Sequence, residues 1–332
     1  MNVFKESDLK ENLVAVERVA VIGYGNQGHA HALNLRDSGV DVVVGARQAR
    51  AGWQRAQTDG FEPRTIAEAV RSAGYVVILL PDELQADVYG TEIGPALSPG
   101  ATLVFAHGFG IAFDIIQPGE DHDVILVAPK GQGHYLRKSY VQGVGLPCLV
   151  GVGTDASGNA WQKALSYAQS VGCLGAGAIE TTFRDEAVTD LFGEQVVLCG
   201  GVPALVKAAF DTLVEGGYPP EVAYIECLQE LKIITDLMSD GGISDMKKKI
   251  SRTAAWGSYL TENEIVTDKL KSTMRTILEK IESGEFAEGW RKETATGRRT
   301  LAGFVEKEAA HPIEEAGRPV RALMQPNKED QS

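Results

Sequence analysis

Two pairs of acidic residues interrupt apolar stretches of the sequence, each with a spacing of four. Asp190 and Glu194 lie within "AVTDLFGEQVVLCGG", and Glu226 and Glu230 lie within "PPEVAYIECLQELKIITDLM". Residues four apart share one face of a helix, where two like charges oppose folding. Carboxylates without His or Cys at ligand spacing suit Mg²⁺ or Mn²⁺ and argue against Zn²⁺. The spacing alone leaves a metal site and a solvated polar face equally open.

A glycine-rich segment follows the first predicted strand. "VAVIGYGNQGHAHALNL" holds Gly23, Gly25 and Gly28 in G-x-G-x-x-G spacing at the start of a helical pattern. Glycines in this context let the backbone approach a pyrophosphate at the helix N-terminus, which predicts dinucleotide binding. The end of the second strand, "VVVGARQARAGW", supplies Arg47 and Arg50 and no acid. Because Arg meets a 2′-phosphate whereas an acid binds the ribose 2′-OH, the pattern favours NADPH.

Composition limits the classes of partner. At 332 residues the chain is long enough for two domains, and its net charge of -13 argues against nucleic acid or an anionic membrane surface as a partner. Small molecules and protein subunits remain. The four cysteines form no C-x-x-C, so we expect free thiols in a reducing compartment. The sequence shows no apolar N-terminal leader and no uninterrupted apolar run of about eighteen residues, so we expect a cytoplasmic protein.

The elements that must position these residues are readable up to about residue 182. Short apolar, β-branched runs alternate there with helical patterns such as "TIAEAVRSAG" and "NAWQKALSYAQSVG", which is typical of βαβ units. We therefore predict an α/β domain with a parallel, doubly wound sheet of the Rossmann type. The predicted strands are 18–23, 40–46, 75–81, 102–108, 123–129, 147–153 and 177–183.

Beyond "FRDEA" the alternation stops and only helical periodicity remains. "ENEIVTDKLKSTMRTILEKIESG", residues 262–284, is one such helical stretch. We therefore predict three segments: a dinucleotide-binding domain over 1–182, an all-α metal- and substrate-binding domain over 183–326, and a flexible tail over 327–332.

Several of these motifs together are similar to one family. "GYGNQGHAH", His107 in "AHGFG", Lys130 in "VAPKGQGH", "IETTFRDEAVTDLFGEQVVLCGG" and "AYIECLQELKIITDLM" resemble ketol-acid reductoisomerase (acetohydroxy acid isomeroreductase) in its short, class I form. The resemblance covers nearly the whole chain. It implies a Rossmann domain followed by a knotted helical domain. It also implies a homo-oligomer, a dimer or a dodecamer of dimers, whose active site is shared between subunits.

The resemblance also implies an activity. A 2-hydroxy-3-keto acid, 2-acetolactate or 2-aceto-2-hydroxybutyrate, undergoes alkyl migration with Mg²⁺ and is then reduced by NADPH to a 2,3-dihydroxy acid, in the biosynthesis of branched-chain amino acids. Two Mg²⁺ ions are expected at Asp190, Glu194, Glu226 and Glu230. The other implied positions are catalytic (His107, Lys130 and Glu230), substrate-binding (Ser251) and cofactor-binding (Gly23, Tyr24, Gly25, Asn26, Gln27, Gly28, Arg47, Arg50 and Gly133).

Some positions depart from the family pattern. They are Gly110, Ala112, Gln132, Lys249 and Arg252. The smaller side chains open volume, and two added cations beside Ser251 favour a larger or more anionic acid. Two alternatives therefore stay open: a paralogue that acts on another keto acid in a specialised pathway, and a non-catalytic NADP-binding sensor. Retention of the four acids and of Lys130 weighs against the sensor.

Overall fold

The computed structural model describes residues 1–324, which fall into two compact units. The N-terminal unit is Met1–Thr189 and the C-terminal unit runs from Asp190 onward. One helix, Phe183–Gly193, continues through this division. The domain boundary at 182/183 stays a prediction, and the predicted tail, 327–332, lies outside the described residues.

The N-terminal unit is built on an eight-stranded sheet, and each of the seven predicted strands is confirmed. An eighth, two-residue strand precedes them. The strands are β1 (Val3–Phe4), β2 (Arg18–Ile22), β3 (Asp41–Gly45), β4 (Tyr75–Ile78), β5 (Thr102–Phe105), β6 (Asp123–Pro129), β7 (Cys148–Thr154) and β8 (Ala178–Glu180). Their order is β1-β8-β7-β6-β5-β4-β2-β3. The chain reverses direction across the sheet at β2, and doubly wound sheets bind ligands at such a switch, beyond the carboxyl ends of the strands.

The sheet is mixed, so the expectation of a fully parallel sheet is wrong at one edge. Strands β3, β2, β4, β5 and β6 are parallel neighbours, but β7 runs antiparallel to β6 and β1 runs antiparallel to β8. Apolar runs identify the residues that form strands without encoding their direction. An antiparallel strand beside a parallel sheet is common in large α/β folds.

Helices cover both faces of this sheet. Leu35, Leu136 and Leu165 are buried on one face, whereas Ile66 and Val88 are buried on the other. The result is a three-layer α/β/α sandwich, in which the carboxyl ends of the parallel strands β2 to β6 lie at one edge of the sheet. The helices are α1 (Asn26–Asp37), α2 (Ala51–Thr58), α3 (Ile66–Arg71), α4 (Asp82–Val88), α5 (Phe109–Ala112), α6 (Gly133–Val141) and α7 (Ala160–Ser170).

Every element described from residue 190 to residue 324 is helical, as predicted. The predicted continuous stretch 262–284 is interrupted because Thr267 starts a new helix, with its hydroxyl accepting from Leu270 N at 3.3 Å. π-Helical turns occur at Glu194–Leu198 and Ile225–Gln229. The α-helices are α8 (Phe183–Gly193), α9 (Gly201–Glu215), α10 (Pro220–Tyr224), α11 (Leu231–Lys249, kinked at Gly242), α12 (Arg252–Ile265), α13 (Asp268–Glu282), α14 (Glu285–Ala295), α15 (Arg299–Ala309) and α16 (Pro312–Met324).

The core of the C-terminal unit is small. It centres on Phe210, Tyr224 and Ile313, where α9, α10 and α16 meet. Large apolar side chains elsewhere in this unit are exposed, including Trp256 at 67% and Phe304 at 65%. The helical run 183–215 is also long and apolar enough to cross a membrane, judged by length and composition alone, which is a weak indication. The unit therefore exposes many large apolar side chains beside a small core.

The N-terminal unit buries an ionisable side chain, His31, on α1. Its Nδ1 lies 2.8 Å from the Tyr167 hydroxyl, and its Nε2 is buried with no hydrogen-bond partner among the described residues. Burial lowers the pKa of His31 from 6.5 to about 4. The folded protein therefore keeps this imidazole neutral, because a proton on Nε2 would find no acceptor.

This burial predicts a loss of stability in mild acid. Below pH 6.5 the unfolded chain binds a proton at His31 that the folded chain refuses, so the free energy of unfolding falls as the pH drops from about 6.5 to about 4. The shift corresponds to about 3 kcal/mol over that range. In His31→Gln, urea unfolding between pH 7 and pH 4.5 should show a loss smaller by about 2 kcal/mol. The exposed His134→Gln is the control, and equal losses in both variants would contradict the assignment.

Candidate active site

The glycine-rich loop joins β2 to α1 at the switch point of the sheet. Gly23 has a φ of +93°, and a Cβ there would lie 2.8 Å from the Leu79 carbonyl oxygen. A Cβ on Gly28 would lie 2.0 Å from the Gly23 carbonyl oxygen, whereas nothing lies within 4 Å of that position on Gly25. The loop therefore packs closely against neighbouring backbone at Gly23 and Gly28, whereas the position beside Gly25 is open. This is the geometry that lets a phosphate reach the N-terminus of a helix.

The loop after β6 forms a second wall beside the glycines. Gln27 Nε2 donates to the Gly131 carbonyl at 3.0 Å, and a Cβ on Gly133 would lie 2.0 Å from the Asn26 carbonyl oxygen. Gln27 Oε1 is buried with no partner among the described residues. A buried acceptor of this kind needs a donor, and a ligand beside the loop would supply one. The predicted residues Asn26, Gln27 and Gly133 thus meet, and they fit a dinucleotide.

The Tyr24 side chain supports the loop from below. Its ring is buried, and its hydroxyl donates to Asp59 Oδ2 at 3.0 Å. Burial, with the nearby Asp59 carboxylate, raises the pKa of Tyr24 above its ordinary value. The phenol therefore stays neutral and fixed, so the backbone of Tyr24 is the part that the loop can offer to a cofactor.

Arg47 and Arg50 lie between β3 and α2, as the sequence suggests. Both are exposed, and Arg50 is the N-cap residue of α2. Neither forms an ion pair within residues 1–324. Two unpaired guanidinium groups at the end of the second parallel strand are suited to a phosphate, which they can bind through bidentate hydrogen bonds.

His107 and Lys130 follow β5 and β6, and a single carboxylate connects them. Glu186, on α8, is 1% exposed. Its Oε1 accepts from Lys130 Nζ at 2.7 Å, and its Oε2 accepts from Gly108 N at 2.6 Å and lies 3.0 Å from His107 Nδ1. The two predicted catalytic side chains are thus held by one buried anion.

The start of α8 places Glu186 there. The Thr182 hydroxyl accepts from Asp185 N at 2.9 Å and so caps the first turn. A Cβ on Gly108 would lie 2.2 Å from the Phe183 carbonyl oxygen, so only glycine allows this close approach. Burial raises the pKa of Glu186, but His107 and Lys130 together outweigh it and hold the pKa below its ordinary value. The carboxyl is therefore ionised at neutral pH.

Glu186 was not among the residues proposed from the sequence. It precedes Asp190 by four residues, as Asp190 precedes Glu194, so the signal was a third acid in the same series. Glu186 differs from the other two acids in its burial, because Glu186 is buried, Asp190 is half-buried and Glu194 is exposed. Spacing alone does not distinguish a buried acid from a solvated one.

Both predicted acidic pairs lie at π-helical turns. Glu194 is the first residue of one turn, and Glu226 lies within the other, which Glu230 directly follows. Such widened turns occur often at functional sites because they change the direction of side chains. In the described chain, Glu226 and Glu230 are exposed and form no side-chain hydrogen bond or ion pair. These carboxylates are available as hard oxygen ligands for a divalent cation.

Ser251 caps the helix α12. Its Oγ accepts from Ala254 N at 3.1 Å, which leaves the hydroxyl proton available to an acceptor. The neighbouring cations are not equivalent. Lys249 forms an ion pair with Asp245 at 2.7 Å, and the hydrogen bond and charge of Asp245 raise the pKa of Lys249. Arg252, the first residue of α12, is exposed. Of the two added cations beside Ser251, Lys249 is therefore paired with a carboxylate, and Arg252 has no carboxylate partner among the described residues.

The departures in the N-terminal unit open less space than the sequence suggests. A Cβ on Gly110 would already lie 3.0 Å from Gln85 Oε1 and 3.4 Å from Ile116 Cδ1. Gln85 is itself held by the Leu80 carbonyl and by Asp82. Ala112 ends the short helix α5, and the exposed Gln132 is the N-cap residue of α6.

Similarity to known proteins extends over nearly the whole chain. The family model described as acetohydroxy acid isomeroreductase, NADPH-binding domain, matches residues 13–177, and that described as ketol-acid reductoisomerase, C-terminal domain, matches residues 183–326. A solved structure of an NADH-preferring ketol-acid reductoisomerase from an uncultured archean is 41% identical, covering 98% of this chain and 100% of that one, with a TM-score of 0.95.

More distant structures share the fold alone. A semialdehyde dehydrogenase NAD-binding protein from Cupriavidus necator is 17% identical over 81% of this chain and 98% of its own, with a TM-score of 0.62. A putative oxidoreductase from Jannaschia sp. CCS1 is 15% identical over 80% of this chain and 97% of its own, with a TM-score of 0.61.

The contacts of Glu186 predict a specific loss of stability. In Glu186→Gln, the amide NH₂ would replace an acceptor oxygen and face either Lys130 or the Gly108 N–H, leaving a donor against a donor. We expect the free energy of unfolding in urea at pH 7 to fall by about 1–3 kcal/mol. Asp185→Asn, a neighbouring exposed acid on α8, should change it by less than about 0.5 kcal/mol. Equal effects from the two substitutions would show that the buried contacts contribute nothing.

Proposed function

The chain belongs to the ketol-acid reductoisomerase family, and from this we propose that it is an active, Mg²⁺-dependent reductoisomerase that uses NADPH. The observation that carries the proposal is the pair His107 and Lys130, held by the buried Glu186 beyond the carboxyl ends of β5 and β6. A protein that only sensed the cofactor would not need an ionised carboxylate at 1% exposure to hold Lys130 and His107.

The substrate class we propose is a 2-hydroxy-3-keto acid, 2-acetolactate or 2-aceto-2-hydroxybutyrate. Its C2 hydroxyl loses a proton and becomes a carbonyl as an alkyl group migrates from C2 to C3, and the C3 oxygen becomes a hydroxyl. Hydride then reduces the new C2 carbonyl to give a 2,3-dihydroxy acid. Bound Mg²⁺ would supply Lewis-acid stabilisation of the oxygens, and the nicotinamide would supply only the hydride.

The residues of the chain divide this work. We assign the two Mg²⁺ sites to the acidic pairs, Asp190 with Glu194 and Glu226 with Glu230. We also assign proton transfer to Glu230. The Lys130 ammonium can donate to a substrate oxygen, and His107 Nε2 can accept a proton, because His107 Nδ1 donates to the Glu186 carboxylate, which also accepts from Lys130. Ser251 can donate its hydroxyl proton to the substrate carboxylate, beside a helix N-terminus that favours an anion.

We further propose that the active enzyme is a homo-oligomer in which the partner supplies the second acidic pair. Exposed apolar side chains in the C-terminal unit, such as Trp256 and Phe304, support this, because a monomer rarely exposes so much apolar surface. A second copy of the chain would cover them. The four cysteines are free thiols, which fits our expectation of a cytoplasmic enzyme.

The proposed pathway is the biosynthesis of branched-chain amino acids. The alternative, a paralogue that acts on a different keto acid, is still favoured by the exposed Arg252 and by the small side chain of Ala112. The ion pair of Lys249 with Asp245 removes one of the two cations that suggested a more anionic substrate. Gln85 and Ile116 occupy the space beside Gly110 that suggested a larger one.

Activity should depend on the metal and on both acidic pairs. With 2-acetolactate and NADPH, we expect turnover to require Mg²⁺ and to fall by roughly two orders of magnitude or more in Asp190→Asn and in Glu226→Gln, because each loses a ligand charge. Binding of NADPH, measured by its fluorescence, should be retained in both. The matched control is Glu221→Gln, an exposed acid on α10 that is not a proposed ligand. Turnover in Glu226→Gln close to that of the parent, at limiting Mg²⁺, would refute the metal assignment.

The cofactor preference should depend on Arg47 and Arg50. The parent should show a higher kcat/KM with NADPH than with NADH, although the relative at 41% identity is described as NADH-preferring. Replacing both arginines by Asp should reduce the ratio by about tenfold to a hundredfold, because a charge-assisted contact to phosphate is lost. The double change Lys10→Asp with Arg71→Asp, at exposed positions of the same unit, is the control for net charge. Equal use of the two cofactors by the parent would overturn this proposal.

A further inference from the structure

A cleft beside the glycine-rich loop is lined by several basic side chains. It lies in the N-terminal unit between α1, α2 and α6 and has a volume of about 430 Å³. Five of its lining residues are cationic or can become so, and none is acidic: His29, Arg55, His134, Arg137 and Lys138. The basic lining contrasts with the net charge of -13, so the cleft is a local region of positive potential on an acidic protein.

One of these cations is fixed and two are unpaired. Arg137 donates to Asn34 Oδ1 at 2.9 Å and to Asp37 Oδ2 at 2.5 Å, so its guanidinium has a set orientation. Arg55 and Lys138 are exposed and form no ion pair in the described part of the chain. A rigid guanidinium beside two unpaired cations is a preorganised arrangement for an anion.

His29 reports the electrostatic potential of the cleft. Burial lowers the pKa of His29, and the charges of Arg55 and Arg137 lower it further. The Asp59 carboxylate lies 3.4 Å from His29 Nε2 and opposes this shift without reversing it. Positive charge therefore dominates at this ring, even though an acid is its nearest charged neighbour.

We propose that this cleft binds a small, multiply charged oxyanion of the phosphate class. Guanidinium and ammonium groups suit the oxygens of phosphate, and the lining residues include no Phe, Tyr or Trp. Its volume fits a small anion, not a macromolecule. Asn26, which also lines the cleft, belongs to the glycine-rich loop, so a bound anion would lie against the back of the cofactor site.

Two sources could supply such an oxyanion: a free anion and the phosphate groups of the cofactor, either its 2′-phosphate or its pyrophosphate. Arg47 and Arg50, the arginines that follow β3, do not line the cleft. The proposal commits to a free anion, and the test below distinguishes it from the cofactor. This inference does not depend on the reductoisomerase activity, because it concerns binding to residues outside the proposed chemistry.

The test uses the full-length protein and inorganic phosphate as the probe. Isothermal titration calorimetry at constant ionic strength, with chloride as the balancing salt, gives the phosphate affinity of the parent and of Arg55→Gln with Lys138→Gln. Loss of two charge-assisted contacts should weaken binding by at least about tenfold. The double variant Lys10→Gln with Arg71→Gln removes the same charge from exposed positions outside the cleft and should leave the affinity unchanged. The single variant Lys138→Gln, expected to weaken binding severalfold, keeps the test available if the double variant fails to fold.

Two further readouts separate the sources. In the parent, phosphate should move the NMR titration of His29 to higher pH, because an anion next to the ring favours its charged form. The cleft variant should keep both the NADP⁺ affinity and the NAD⁺ affinity of the parent. A tenfold loss of NADP⁺ affinity alone would assign the cleft to the 2′-phosphate of the cofactor, an equal loss of both affinities would assign it to the pyrophosphate, and either result would overturn the proposal. Equal weakening in the cleft and control variants would show counter-ion binding only, and would also overturn it.

Discussion

The buried carboxylate of Glu186 is the interaction on which the candidate site depends. It accepts from Gly108 N and Lys130 Nζ and contacts His107 Nδ1, so it joins the loops after β5 and β6 to the first turns of α8. An isolated carboxylate at 1% exposure would cost several kcal/mol in desolvation. It is stable there only because all three partners are present. The same condition fixes both side chains that we assign to the substrate.

The acidic pairs differ from Glu186 in their burial, because Asp190 is half-buried and the other three carboxylates are exposed. Glu194, Glu226 and Glu230 are exposed and lie at π-helical turns, where an α-helix would have been the more stable local structure. Like charges at such spacing oppose folding, and a divalent cation would reverse the sign of that interaction. The same unit also exposes large apolar side chains. Metal ions and a second subunit would together account for both.

Much of this architecture could be predicted from the sequence, because hydrophobic periodicity and glycine spacing are local signals. All seven predicted strands are present, and the glycine-rich loop lies where its motif requires. The direction of β7 and the pairing of the two-residue β1 depend on tertiary packing, which local patterns do not carry. The same limit applies to Glu186 and Lys249, whose roles follow from burial and from the Asp245 ion pair. Spacing predicts each acidic pair on one helix, whereas Glu194 and Glu226 lie in π-helical turns that the sequence pattern does not indicate.

The central claim is that this chain couples alkyl migration to hydride transfer. The most direct test is the position of deuterium in the product after transfer from labelled NADPH. The parent enzyme would be given 2-acetolactate, Mg²⁺ and NADPH carrying deuterium at the transferable position, and the product would be examined by NMR. The account predicts 2,3-dihydroxy-3-methylbutanoate, with both methyl groups on C3 and deuterium on C2, and no product when Mg²⁺ is omitted. Deuterium on C3, with the methyl groups still on separate carbons, would mean reduction without migration and would contradict the account.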